Sequence, residues 1–330
     1  MKRANIAFFV PHRGCPFQCV FCDQKKISGS DKAVNADTVQ RDVRKALLTL
    51  GGRPAEIAFF GGSFTGIPVN EQEELLSCAY EFVKTGEVEG IRLSTRPDFI
   101  SETVLDRLAR YGVTAIELGA QSMDDRVLAH SGRGHRAKDV TIASQLIRER
   151  GFSLGLQMMT GLPEATWESD QKSAQEIIAL FPDTVRIYPT LVLSGTLLCE
   201  MYERGEYQPQ SLEEAVESVA RIKEMMDGAG VRVIRMGLHS ERALETALVK
   251  GPYHPAFGEL VASRMIYHRM EHYIKTYHPS EVILTAPERL YSQVMGQKRE
   301  NIQRIEQCFG ISCRVLPSVG DAITINGNRI

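Results

Sequence analysis

The chain has 330 residues, with 39 Lys and Arg against 41 Asp and Glu and a formal net charge of −2. Its hydrophobic fraction of 43% supports a core, which excludes a disordered or collagen-like chain. Balanced charge gives no bulk attraction to nucleic acid or membrane, and an odd count of 7 Cys, three of them within eight residues, is not a disulfide framework.

In chain order, the basic start Met1-Lys2-Arg3 leads into the apolar run Ile6–Val10, which stops at Pro11. That run is too short for a signal-peptide core or a membrane span, so a reducing cytoplasm and no membrane partner are expected. It is β-rich and predicts a strand over Asn5–Pro11. Further strands are expected at Glu56–Phe60, Ile91–Thr95, Thr114–Leu118, Ser153–Met159, Thr184–Tyr188 and Val231–Met236. Helical patterns lie between them at Ala36–Leu50, Asn70–Thr85, Ser101–Tyr111, Ala137–Gly151, Thr166–Leu180 and Ser211–Gly228. Asn70, Ser101 and Ser211 stand where a polar side chain accepts the first free helix amides. Alternation of strand and helix over roughly 230 residues predicts an α/β fold of parallel strands with helical crossovers, a barrel or a doubly wound sheet.

Composition changes after about residue 240. The stretch Gly251-Pro252-Tyr253-His254-Pro255-Ala256-Phe257-Gly258 is punctuated by Pro and Gly. It predicts a boundary or a lid over 251–258, with Tyr253 and His254 facing substrate. A helix at Glu259–Tyr277, a strand at Val282–Leu284, two short helices and strands at Cys313–Leu316 and Ala322–Ile325 follow. The expected organisation is a main domain over 1–240 and a small α/β appendage over 241–330. The β-α-α-β order across 281–316 is similar to a KH-type RNA-binding core, whose G-x-x-G loop clamps the RNA backbone. Here that loop reads Gly296-Gln297-Lys298-Arg299, with cations in place of the second glycine. The competing reading is a packing unit that closes the open side of the main domain. His268 and His272 are four apart on a helix without an evident acidic partner, so a solvated face is expected rather than a metal site. Cys78, Cys199, Cys308 and Cys313 read as buried small apolar residues.

The chemistry sits after the first strand, where Cys15, Cys19 and Cys22 have C-x3-C-x2-C spacing. Thiolates are soft ligands for iron–sulfur clusters or zinc. Three of them on a four-iron cluster leave one iron open to a ligand from outside the protein. The alternatives are a zinc site completed by His12, or unliganded thiols, which a Gly/Pro-rich surface loop disfavours.

With Phe21 preceding the last cysteine, the loop resembles the signature of radical S-adenosylmethionine (SAM) enzymes. The resemblance implies a partial (β/α)6 barrel with a 4Fe-4S cluster at the C-terminal mouth of the strands and SAM chelated to the open iron. It further implies reductive cleavage to a 5′-deoxyadenosyl radical, hydrogen abstraction from substrate, and a low-potential electron donor of the flavodoxin or ferredoxin type. Carried onto this sequence, the turn Gly61-Gly62-Ser63 would meet the methionyl amino group, Gln121 and Gln157 the ribose, and Arg133 the carboxylate. Phe21, Arg96 and Glu117 would complete the cofactor site. His239, after the last predicted strand, and Tyr188 are expected in proton transfer or substrate contact.

A narrower resemblance, over about residues 5–235, is to the radical domain of the Elongator catalytic subunit. It rests on Gly61-Gly62-Ser63-Phe64-Thr65, Ser94-Thr95-Arg96-Pro97-Asp98, Glu117–Ser122, Arg133-Gly134-His135, Met158–Pro163 and Tyr188–Val192. It implies a transfer RNA (tRNA) substrate modified at the wobble uridine. Gln157 stands where that family tends to carry His, and nothing after residue 240 resembles its acetyltransferase domain. Two other readings remain: a radical reaction on a small metabolite such as a porphyrin precursor, and a non-catalytic iron–sulfur or haem carrier.

Overall fold

The computed structural model describes residues 4–10, 13–28 and 34–330. Its strands are β1 (Ala4–Phe9), β2 (Ala55–Phe60), β3 (Ile91–Thr95), β4 (Val113–Gln121), β5 (Ser153–Thr160), β6 (Thr184–Pro189), β7 (Val192–Leu193), β8 (Arg232–Met236), β9 (Leu248–Lys250), β10 (Glu281–Pro287), β11 (Ser312–Ser318), β12 (Thr324–Ile325) and β13 (Asn328–Arg329). The α-helices are α1 (Gln24–Ser28), α2 (Ala36–Leu50), α3 (Val69–Lys84), α4 (Glu102–Arg110), α5 (Asp125–His130), α6 (Ala137–Glu149), α7 (Trp167–Ala179), α8 (Leu197–Glu203), α9 (Leu212–Gly228), α10 (Arg242–Ala247), α11 (Phe257–Tyr277), α12 (Glu288–Met295) and α13 (Glu300–Phe309).

Period-two alternation explains the main sheet. Ile57, Phe59, Ile91, Leu93, Ile116, Leu118, Val185 and Ile187 are buried beneath the crossover helices. The alternate positions Glu56, Arg92, Glu117 and Arg186 carry charge to the other face. The strands pair in the order β1-β2-β3-β4-β5-β6-β8, parallel throughout. β1 and β8 are the two edges, so the sheet curls into an open half-barrel, with one strand more than the six implied by resemblance. All seven of its strands stand where sequence placed them, although Pro11, the expected end of the first, lies outside the described residues.

Two helix starts show how local chemistry decides. Ser101 and Ser211 accept from Val104 N and Glu214 N, as expected of caps. Asn70 does not cap: α3 begins at Val69 after Pro68, whose fixed φ already suits a helix entry. The short helices α5, α8 and α10 carry too little periodicity to be read from sequence.

In the appendage β10 and β11 are parallel neighbours, with β12 and β13 completing the order β11-β10-β12-β13. The elements β10-α12-α13-β11 follow the predicted β-α-α-β order. Between the two helices Lys298 and Arg299 are exposed and left-handed, at φ 53° and 66°. Among the thiols outside the cysteine loop, Cys199 and Cys313 are buried and Cys78 is half-buried; Cys308 is exposed, because it falls on the solvent side of α13. No helix among the described residues is long and apolar enough to cross a membrane.

Ion pairs from α11 and α13 to α9 cluster where the half-barrel meets the appendage. The buried Arg264 donates to Glu217 Oε2 and Glu213 Oε1, both at 2.8 Å, and Arg304 reaches Glu213 Oε1 at 2.5 Å. His268 is not on a solvated face. Its Nδ1 lies 3.0 Å from Glu224 and its Nε2 3.1 Å from Glu217, carboxylates some 50 residues earlier that sequence spacing does not reveal. Burial alone would lower the His268 pKa, but Glu224 and Glu217 raise it. Burial alone would raise the Glu217 pKa, but Arg264, Arg221 and His268 bring it down to about 2. The histidine's contribution to stability is complete below its unfolded pKa of roughly 6.5 and is lost as pH rises through the raised folded value. The glutamate's contribution is complete above its unfolded value of roughly 4.3 and is lost as pH falls towards its depressed one. Thermal stability is therefore expected to peak between roughly pH 4.5 and 6.5. Melting curves of His268→Gln should lose the decline on the alkaline side; an unchanged alkaline limb would show that this contact contributes nothing.

Candidate functional site

The cysteine loop and the C-terminal ends of the strands enclose a cavity of about 460 Å³. Cys15, Cys19, Cys22, Phe21, Gly61, Gly62, Arg96, Glu117, Gln121, Arg133, Gln157, Tyr188 and His239 all line it. Ser63, also expected at the cofactor site, does not. Its buried hydroxyl meets Thr95 Oγ1 at 2.9 Å and accepts from Arg96 N at 3.3 Å, so it ties the end of β2 to β3.

Backbone packs directly on backbone where the cysteine loop meets the turn after β2. Ser63 N donates to Arg13 O at 2.9 Å. A Cβ on Gly62 would stand 2.4 Å from Val10 O, and one on Gly14, at φ +71°, would stand 2.1 Å from Ser63 O. Only glycine permits that approach.

Cys19 is buried, Cys22 half-buried and Cys15 exposed. Burial, then the neighbouring Cys19, pushes the Cys22 thiol up to about 12, and the same two causes raise Cys15. The thiols thus crowd one another's negative charge, and a bound soft cation is what would relieve it. Arg133 Nη1 donates to Cys19 Sγ at 3.3 Å. Among the described residues no three His, Cys, Asp or Glu side chains converge as they would around a single metal ion. His12, the fourth ligand of the zinc alternative, lies outside the described residues. In a four-iron cluster each thiolate takes a separate iron, so the three need not converge on one.

Two arginines face the same cavity. Arg96 donates to both Asp98 oxygens, at 2.9 and 3.0 Å, and to Arg133 O at 2.6 Å; its guanidinium stacks 5.1 Å from the Phe17 ring. Arg133 Nη2 donates to Gly119 O at 2.7 Å. Arg96 Nη1 and Arg133 Nε are buried without a partner. Such donors are costly to leave unmade and fit an anionic group held there, such as a carboxylate. At the end of β4 a bulge between Gly119 and Gln121 and a φ of 66° at Gln121 re-aim that side chain. Gln157 Nε2 then donates to Gln121 Oε1 at 3.2 Å.

The profile of the radical SAM superfamily matches residues 9–177, and that of the radical SAM C-terminal domain matches residues 182–267. The chain belongs to the radical SAM superfamily. It is 35% identical over 79% of its length to a tRNA uridine(34) acetyltransferase of Methanocaldococcus infernus, covering 56% of that protein. It is 32% identical over 64% of its length to human Elongator complex protein 3, covering 41% of it. The chain thus spans about half the length of these relatives. Its fold superposes with a TM-score of 0.64 on the archaeal M. infernus Elp3, at 27% identity, covering 82% of this chain and 63% of that one. Coproporphyrinogen III oxidase (HemN) from Escherichia coli, at 18% identity and TM-score 0.51, covering 69% of this chain and 54% of that one, shares the fold.

The superfamily's cofactors, a 4Fe-4S cluster and SAM, fit this donor set: three soft thiols, a glycine turn that admits close approach, and unpaired guanidinium N–H groups. An ion network joins Glu117 and Arg186 of this radical SAM cavity to Arg92 and Glu56, and sequence reading misses it apart from Glu117. Arg92 donates to Glu56 Oε2 and Glu117 Oε1, both at 3.1 Å, and Arg186 grips Glu117 with bonds of 2.7 and 3.0 Å. Burial alone would lower the Arg186 pKa; Glu117, then Tyr188, hold it above its ordinary value. Gly155 on β5 leaves room for this, since a Cβ there would lie 2.7 Å from Glu117 Cγ. The available signal is four charged residues recurring inside otherwise apolar parallel strands.

His239 sits at the rim, 3.7 Å from Glu241, with its pKa lowered by burial and then by Arg235. His135 has no assigned role in the sequence reading, yet burial, then Arg133, lowers it to about 4, and Nε2 lies 3.3 Å from Ala120 O. Tyr253 and His254 do not line the cavity. Tyr253 donates to Glu245 at 2.7 Å and His254 accepts from Ala256 N, so residues 251–258 turn back on their own neighbours.

Proposed function

We propose that this chain is a radical SAM enzyme of tRNA modification, active in the reducing cytoplasm with a flavodoxin- or ferredoxin-type electron donor. The two cofactors together supply, when bound, reductive cleavage of SAM and abstraction of a substrate hydrogen. Cys15, Cys19 and Cys22 hold the cluster. Gly61 and Gly62 admit the methionyl end, Arg133 offers its unpaired Nε to the carboxylate, and Gln121 with Gln157 orients the ribose. Arg96 fixes the Arg133 backbone, and Phe21 and Glu117 complete the walls. Tyr188 and His239 stand where substrate enters; burial keeps His239 neutral, fit to accept a hydrogen bond or a proton. The exposed Lys298 and Arg299 are offered to backbone phosphates.

The observation that carries this reading is three thiols and two unpaired guanidinium donors on one cavity, in a chain 35% identical to a tRNA uridine(34) acetyltransferase. Anaerobically reconstituted protein with a reductant should cleave SAM to 5′-deoxyadenosine, and added tRNA should accelerate that cleavage. No cleavage from an intact cluster would favour a carrier. Cleavage indifferent to tRNA would favour a metabolite substrate.

A further inference from the structure

The half-barrel places a second arginine beside Arg186, and the backbone has been altered to do so. β6 and β8 pair Val185 with Val233, then slip by one residue, so that Arg186 faces Arg235 and Ile234 is left out of register. Without that slip Ile234 would stand opposite Arg186, and Arg235 would point to the other face of the sheet. A bulge of this kind re-aims one side chain at the cost of the next. Ile234 bears that cost and is 40% exposed.

The two neighbouring arginines differ in what neutralises them. Arg186 is committed to Glu117, which Arg92 and Glu56 complete as a balanced set. Arg235 lines the same cavity but pairs with no carboxylate among the described residues; its one hydrogen bond is from Nε to Gly237 O at 3.3 Å. Four arginines and two glutamates line the cavity; Glu117 is held by Arg186 and Arg92, and Glu241 lies 3.7 Å from His239. Arg96 and Arg133 stand across the cavity with the cysteine loop. Arg235 is therefore the cation with its charge uncommitted on the half of the cavity where Tyr188 and His239 stand.

We infer that Arg235, with the His239 imidazole beside it, forms an anion subsite that seats a phosphate oxygen of the nucleotide presented to the cavity. The inference rests on the proposed function for the choice of phosphate, and on the cavity itself for the anion. A guanidinium offers a fork of N–H donors that matches a phosphate or carboxylate, and a partly desolvated site strengthens the bond. An anion fixed at Arg235 leaves the rest of the cavity, up to the cysteine loop, for the attached sugar and base.

Calorimetric titration of the SAM-loaded holoenzyme with uridine 5′-monophosphate and with uridine tests this. The phosphate should tighten binding by about tenfold, the value of one charge-assisted hydrogen-bonded pair. Arg235→Gln should remove that preference while leaving uridine within about twofold, and Arg235→Lys should restore part of it. Equal binding of the two ligands by the unaltered protein, a preference that survives Arg235→Gln, or no binding of the nucleotide would each overturn the subsite. So would tighter binding of propionate than of inorganic phosphate, which would assign the cation to a carboxylate metabolite. Cleavage of SAM is read separately: if it succeeds while the phosphate preference is absent, the subsite fails and the radical reading stands.

Discussion

Cys19→Ala should leave a protein without its cluster, with iron content and visible absorbance lost and SAM cleavage at the uncatalysed background. Cys19 is the middle thiol of the three: it is buried, its charge raises the pKa of both Cys15 and Cys22, and it accepts from Arg133. Two remaining thiolates cannot hold a four-iron cluster that three hold with one iron open. Cys308→Ala is the control, since Cys308 is exposed on α13 and far from the loop in the fold. Iron content measured after anaerobic reconstitution decides it. Iron retained by the Cys19 variant, or lost equally from the Cys308 variant, would remove the ligand assignment.

Glu117→Ala is expected to cost about 3–5 kcal/mol of stability, because it strips the half-buried Arg186 of its carboxylate and takes one of two from the buried Arg92. An exposed pair would cost under about 1 kcal/mol, so urea unfolding separates the two cases cleanly. Pairing Glu117→Gln with Arg186→Gln should recover part of the loss, since the penalty lies in an uncompensated buried charge rather than in a missing attraction. A single substitution costing less than about 1 kcal/mol would show that water reaches the network.

How much is legible in the sequence depends on the range of each signal. The seven strands are local patterns of apolar β-formers, and the cysteine spacing and Gly61-Gly62 are local too; each is readable without the fold. The half-barrel's polar interior is only partly readable, because Glu56, Arg92, Glu117 and Arg186 come from four strands up to 130 residues apart and meet only once the sheet is ordered. Glu117 is found through a resemblance, while the arginines that hold it are not. Arg235 is out of reach for a different reason: a regular strand would turn it away, and only the bulge reverses its face. Ser63 and the 251–258 loop go the other way. Both look functional as residue types, yet the hydroxyl is spent on Thr95 and the loop on its own neighbours.

Helix α11 changes allegiance part-way along its length. Phe257, Val261 and Met265 seal the half-barrel, whereas Ile266, Tyr267, Met270 and Ile274 belong to the core of the appendage. The match to the radical SAM C-terminal domain ends at residue 267, one turn's breadth from that handover. The first half of the helix is a plug that the barrel needs, and the second half is a stem on which something else is mounted. A graft made at this seam would exchange the mounted unit and keep the plug.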